Sequence, residues 1–268
     1  MTIAIRPPFS KISSAVNWFK GSPPLNSRNA ILDELRAIAI LNMIAYHFCY
    51  CAVKIYGADW SWFSSFGVGA WQEYICCSFL FIAGFCSRFS KRPYKRAFKI
   101  ALCAFLITFV TYLFNAKGFV IFGILHCMAL SMFIVALFSK LIEKIPPAFG
   151  VGASLAFALI VWNTTRGYFG FGDFSLALPA VLYETDALFI LGMKTKSFKS
   201  IDYFPLFPYL FVFLTGAFMG AYRDFLPRSL FKRPIGFLTF VGGHSLLIYM
   251  IHQPIIIFLI YLYTQIAR

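Results

Sequence analysis

Long apolar runs alternate along this chain with short polar, basic or Pro-containing interruptions, and the runs approach the roughly 20 residues that cross a bilayer as a helix. The pattern predicts an all-α, polytopic membrane bundle of about eight spans. Span 1 covers about 32–53, span 2 about 70–87 and span 3 about 100–114. A turn at Asn115–Gly118 leads to span 4, about 119–139, and a linker closed by Pro146 and Pro147 leads to span 5, about 148–162. A Gly-rich aromatic loop, NTTRGYFGFGD, separates it from span 6, about 174–192; spans 7 and 8 follow at about 204–221 and 237–263, with a kink expected at Pro254. Residues 1–31 hold no long apolar run and read as a basic tail. Residues 32–268 read as one membrane-embedded domain.

Composition supports the membrane reading. The chain is 60% hydrophobic and 13% charged, where a soluble protein carries about 25% charged residues. Its net charge of +14 sits in the interruptions, so it speaks of topology and anionic headgroups, not of nucleic acid. With the amino terminus in the cytosol of a cell whose inner membrane holds the protein, the inner segments carry sixteen of the 24 Lys and Arg and the outer loops seven. The loop 222–236 breaks the rule: placed outside, it carries Arg223, Arg228, Lys232 and Arg233. Either it is outside and binds an anion, or one late segment does not cross. The seven cysteines lack paired CxxC spacing and read as small apolar side chains, with no metal expected.

One stretch carries the candidate chemistry, LDELRAIAILNMIAYH over Leu32–His47. Asp33, Arg36 and His47 fall near one stripe of a helix, Arg36 and His47 being about 16 Å apart along its axis. Ionisable residues inside a membrane are costly and read as functional by default. In the eight-span arrangement His126, Glu184, Asp186, His244, Ser245 and His252 approach the same layer, Ser245 and His252 sharing a face with Tyr249. A neutral imidazole is the form that burial favours, and it can take a proton from a hydroxyl or an amine. The linker after span 2 holds Arg88, Lys91, Arg92, Lys95, Arg96 and Lys99, which suit a phosphate-rich donor such as coenzyme A. The bland readings are packing histidines, a positive-inside anchor and a broken span 6.

The segments ILDELRAIAILNMIAYH, SFLFIAGFCSRFSKRPYKR, IFGILHCMALS, SFKSIDYFPLFPYLFVFLTGAFMG and GGHSLLIYMIHQP occur in this order, and together they resemble the heparan-α-glucosaminide N-acetyltransferase catalytic-domain family in its short bacterial form. The spacing of Arg36 and His47 also resembles that of membrane acyltransferases that O-acetylate surface polysaccharides. The resemblance implies transfer of an acetyl group from cytosolic acetyl-CoA to a sugar or glycan-like acceptor. It implies His47 as catalytic base or acetyl relay, with Arg36 and Asp33 as its positioning partners. The His126, Asp202–Tyr203 and His244–His252 motifs carry over as signature positions without assigned roles. Self-association is left open. A transporter using the same histidines and acids as a proton relay, and a structural subunit without chemistry, are the rival readings.

Overall fold

The computed structural model describes residues 30–114, 118–231 and 233–266. The tail expected over residues 1–31 falls almost wholly outside them, as does most of the Asn115–Gly118 turn. Among the described residues the chain is mostly helical, with one short hairpin. Six helices are long and apolar enough to cross a membrane, and Ile124–Leu137 is a shorter apolar helix beside them. In chain order these are α1 (Ala30–Tyr50), extended by a π-turn over Cys51–Ile55, α2 (Phe66–Ser87), α3 (Pro93–Phe114) and α4 (Ile124–Leu137). The one-turn α5 (Ser139–Ile142) precedes α6 (Pro147–Ile160), which is followed by α7 (Leu206–Met219), α8 (Gly236–Gly243) and α9 (Ser245–Ile266). Residue chemistry sets several of the boundaries. α1 opens with acids in its first turn, and α6 starts at a proline, whose fixed φ suits a first helical position.

The crossings alternate in direction. Arg36 lies against Cys86 and Tyr46 against Gln72, so α1 and α2 are antiparallel. Tyr94 meets Phe133 and Thr108 meets His126, so α3 and α4 are antiparallel. α7 runs parallel to α2, with Glu73 against Tyr209 near one end and Gly220 against Arg88 near the other. α9 runs parallel to α1, from His252 beside His47 to Ile257 beside Tyr56.

α7 is the most enclosed of the spanning helices. Phe213 and Ala217 are fully buried and join Leu80 of α2 with Cys127 and Met132 of α4 in the main core. This closeness depends on two glycines. A Cβ at Gly84 would run into the carbonyl of Phe213, and a Cβ at Gly216 into the carbonyl of Phe81. Small residues let membrane helices approach backbone to backbone, where dispersion replaces the missing hydrophobic driving force. The other side of the bundle is apolar and open: Phe98, Phe105, Phe109 and Leu113 of α3 and Phe258 and Tyr263 of α9 are exposed, as lipid-facing side chains are.

Two features differ from the pattern-based expectation. Residues 174–192 are not a crossing helix; they supply β2 (Leu176–Ala177), which pairs with β1 (Tyr168–Phe169) of the preceding loop in a two-stranded hairpin, followed by short 3-10 turns over Ala180–Tyr183 and Asp186–Leu191. Pro179 and the acids at 184 and 186 interrupt the run, and it lies between the end of α6 and the start of α7. The bundle therefore crosses one time fewer, and the basic loop before α8 lies at the Arg36 end. There the Arg228 carbonyl accepts from Ile31 N–H, and Glu34 accepts from Ser229 and from the N–H groups of Leu230 and Ile235. The anomaly in the positive-residue count disappears with the sixth span. The second difference is the break in the last crossing. It falls at Gly243–His244, between α8 and α9, while Pro254 sits inside a continuous α9.

Two outcomes are expected. Reporter tags fused to the two chain ends should read opposite faces of the membrane, since the number of crossings is odd; readings on one face would restore the eighth span. Gly216→Ala should cost about 1–3 kcal/mol by overpacking the α2–α7 contact. Gly152→Ala, where nothing lies near the added methyl, should stay within about 1 kcal/mol of wild type. Thermal unfolding in detergent compares the two.

Candidate functional site

α1 carries the site. Its buried stripe is Ala37, Ile40 and Met43, packed against Ile75 of α2 and Val241 of α8. Arg36 and His47 sit at the two ends of this stripe, so they share a face but do not meet. At the lower end, the Arg36 guanidinium donates to Asp33 Oδ1 at 2.7 Å and to Cys86 Sγ at 2.8 Å. Arg96 lies within electrostatic reach of Arg36 and Cys86, and its guanidinium has no hydrogen-bond or ion-pair partner among the described residues. Arg88 packs against Gly220, and the Arg223 guanidinium stacks 4.7 Å over the Phe89 ring. Arg36, Arg88, Arg96 and Arg223 thus gather at one end of the bundle. Lys91 and Arg92 of the linker and Lys95 of the first turn of α3 are exposed beside them.

At the other end of the stripe, His47 meets His252 across the α1–α9 contact, with ring centroids 4.9 Å apart and planes tilted by 54°. His252 is buried, 8% exposed. His47 Nδ1, His252 Nε2 and Gln253 Oε1 are all buried without a hydrogen-bond partner among the described residues. Such orphaned groups are rare in folded proteins and mark places where a ligand, a water or a proton transfer belongs. Gln253 donates to Cys51 Sγ at 3.2 Å, one turn beyond His47, where α1 widens into its π-turn. Single π-turns are frequent at functional sites. Tyr46 and Trp71 line the neighbouring wall, donating to Gln72 and Asn42 respectively.

The remaining residues of the expected polar layer lie elsewhere. His126 is wedged between Phe105 and Phe122. The Thr108 hydroxyl spends its proton on the Val120 carbonyl, so His126 Nε2–H donates to that oxygen, and the ring packs α4 on α3. His244 is exposed, with its ring tilted against Phe240, and lines an open groove with Ala30 and Asp33 at the Arg36 end, not near His47. Ser245 is part-buried at the start of α9. Glu184 and Asp186 are exposed outside the crossings, and Asp186 accepts from Thr195 N–H. The expected layer reduces to α1 and α9, because the missing sixth span removes the acids and the shifted direction of the last crossing moves His244 to the far end.

Two acids were missed as site candidates. Glu73, in the apolar run WQEYICC, accepts from Tyr209 at 2.7 Å and feels Arg166 nearby. The rule that singled out His47 applies equally to this residue and could have found it. Asp202 was a signature position only. Its carboxylate lies against Gly123 and accepts the N–H of Ile124, at the start of α4, where the helix leaves donors free. Burial pushes its pKa up to about 6, while the Ile124 N–H pulls the other way.

Residues 28–254 match the family model described as heparan-alpha-glucosaminide N-acetyltransferase, catalytic. Comparison with curated proteins and with solved structures gives no significant match.

A raised carboxyl pKa means the folded chain binds this proton more tightly than the unfolded chain. The contribution of Asp202 to stability is then complete below its unfolded pKa near 3.8 and lost as pH rises through about 6. Asp202→Asn should remove that loss, by at most about 3 kcal/mol. Melting temperatures between pH 4 and pH 7.5 test it: the wild type should fall more steeply than the variant, and parallel curves would discard the burial argument.

Proposed function

The chain belongs to the heparan-α-glucosaminide N-acetyltransferase catalytic family, and we propose that it moves an acetyl group from cytosolic acetyl-CoA to a sugar-like hydroxyl or amine. The fold agrees with a membrane-embedded catalytic domain of that kind. The observation that carries the reading is the meeting of His47 and His252 around unpartnered buried nitrogens, at the far end of a stripe that begins among four arginines.

In this reading the arginine end faces the cytosol of a cell whose inner membrane holds the protein. The basic linker Arg88–Lys99, Lys140, Lys144 and the loop bearing Arg223, Arg228 and Arg233 then share the inner face. Arg36, Arg88 and Arg96 would hold the phosphates of the donor, Arg96 with a guanidinium that no group among the described residues engages. Lys91, Arg92 and Lys95 add charge that draws the anion in without forming its pocket. The pantetheine arm is a flexible chain of about the length that separates Arg36 from His47. It would lie along Ile40 and Met43, and the unbranched Met43 can move aside.

His47 Nε2 has no partner among the described residues and is not enclosed, so it is the nitrogen open to an acceptor. The acceptor oxygen or nitrogen attacks the thioester carbonyl as His47 takes its proton. The new C–O or C–N bond forms, the C–S bond breaks, and the proton returns to the departing thiolate. No group of three His, Cys, Asp or Glu side chains suited to a metal occurs among the described residues, and the reading calls for none.

Release of coenzyme A thiol from acetyl-CoA by protein in nanodiscs, with a glucosamine-type or polysaccharide acceptor, is the test. His47→Ala should lower the rate by about 100-fold or more. Arg96→Ala should raise the KM for acetyl-CoA about 10-fold with little change in kcat. Undiminished release by His47→Ala would remove this residue from the chemistry.

A further inference from the structure

We propose that His252 is a positioning residue that fixes the tautomer of His47, so that the two imidazoles and one backbone carbonyl form a directed chain. The proposal rests on His47 being the base, and its structural half can be read without any turnover.

The chain starts at the backbone. His252 Nδ1 lies 2.5 Å from the carbonyl oxygen of Tyr249. A carbonyl only accepts, so Nδ1 carries the proton. In a neutral ring Nε2 is then a bare acceptor, and it is buried with no partner. The neighbouring ring is His47, with its centroid 4.9 Å away and its own Nδ1 buried and unpartnered. The two nitrogens make no direct hydrogen bond with each other; two acceptors left side by side would repel, whereas a proton on His47 Nδ1 satisfies both through one bridging water. That leaves Nε2 of His47 as the lone-pair nitrogen, and Nε2 is the one that is not enclosed. The tautomer needed for a base at the open side is thus dictated two residues away, from Tyr249 through His252.

This is the role that a carboxylate fills in a Ser-His-Asp triad, holding the imidazole in the right tautomer and orientation. Here a neutral ring fills it. Once His47 Nε2 has taken the acceptor's proton, the imidazolium keeps its Nδ1–H directed, through the bridging water, at His252 Nε2, which helps carry the positive charge. Gln253 and Tyr249 hold the backbone of this turn, through Cys51 and Phe79 respectively.

The chain has four histidines, so nitrogen-15 labelling of histidine in nanodiscs gives a spectrum that single substitutions can assign. In wild-type protein His47 should show a protonated Nδ1 and a bare Nε2, and in His252→Phe this fixed pattern should give way to a mixture of tautomers. A wild-type His47 protonated at Nε2, or His47 signals unchanged in His252→Phe, overturns the proposal. In the kinetic arm, His252→Asn keeps a donor for the Tyr249 carbonyl but places nothing at Nε2, while His252→Gln places an acceptor there. Asn and Phe should lower kcat about 100-fold with the acetyl-CoA KM within about 3-fold, and Gln should stay within about 10-fold of wild type. Full activity in Asn would show that only the Tyr249 bond matters, and the proposal fails. Absence of transfer in the wild type would defeat the enzymatic reading, while the nitrogen spectra would still decide the tautomer. If His252→Phe does not fold, as judged by size exclusion, the Asn variant supplies both readouts.

Discussion

The carboxylate of Glu34 holds this architecture together at the point where the start of α1 meets the loop before α8. It is fully buried in the first turn of α1, 195 residues from Ser229, whose hydroxyl lies 2.7 Å from one of its oxygens. The N–H groups of Leu230 and Ile235 complete its shell. A buried charge is tolerated only when its lone pairs are met, and charge-assisted bonds to backbone N–H groups meet them well. The consequence is geometric. With the loop before α8 pinned to the start of α1, α8 crosses α1 so closely that a Cβ at Gly242 would strike the Asp33 backbone. α9 then starts from a fixed point and runs alongside α1, bringing His252 level with His47. The site near one face of the bundle is set by an interaction at the other.

Hydropathy alone revealed most of the crossings, because a bilayer demands long apolar helices and the sequence spells them out. It failed at 174–192 for a specific reason. That stretch is apolar enough in composition, but Pro179 removes a donor and the acids at 184 and 186 seek water. The chain satisfies its backbone there with short turns outside the crossings. One false crossing then reverses the direction of everything after it. Residue His244 was assigned to the wrong end by this arithmetic, not by any misreading of its own surroundings. The unexplained charge on the loop 222–236 was the visible symptom, and odd parity cures it.

The site was half legible. Helical period put Arg36, Ile40, Met43 and His47 on one stripe, and the structure keeps that stripe while filling its middle with packed side chains. That His252 meets His47, and that His126, His244 and the two acids do not, depends on which helices are neighbours, and periodicity within one helix carries no such information. Glu34 shows the same limit. It reads as an ordinary acid in a first turn, and its partners come from a loop that no local pattern connects to it. Glu73 is a different case, since its position inside an apolar run was in plain view.

A pair of imidazoles also answers a problem that a membrane poses to acid–base chemistry. A base needs an orienting partner, and in water-soluble enzymes that partner can be a carboxylate. Inside a bundle facing lipid, a permanent carboxylate beside the base would have to be desolvated at rest, at a cost of several kcal/mol unless fully paired. The protein places such charges where it can pair them: Asp33 with Arg36, Glu34 with its ring of donors. In the proposed mechanism, the partner at His47 is a neutral ring whose direction is set by the Tyr249 carbonyl. On that reading the pair would carry no net charge at rest, and a charge would arise only while a proton is in transit. Neutral partners at the proposed reacting end and fixed cations at the proposed entry end would then divide the work along α1: arginines at the boundary can hold an anion strongly, and histidines away from it can handle a proton.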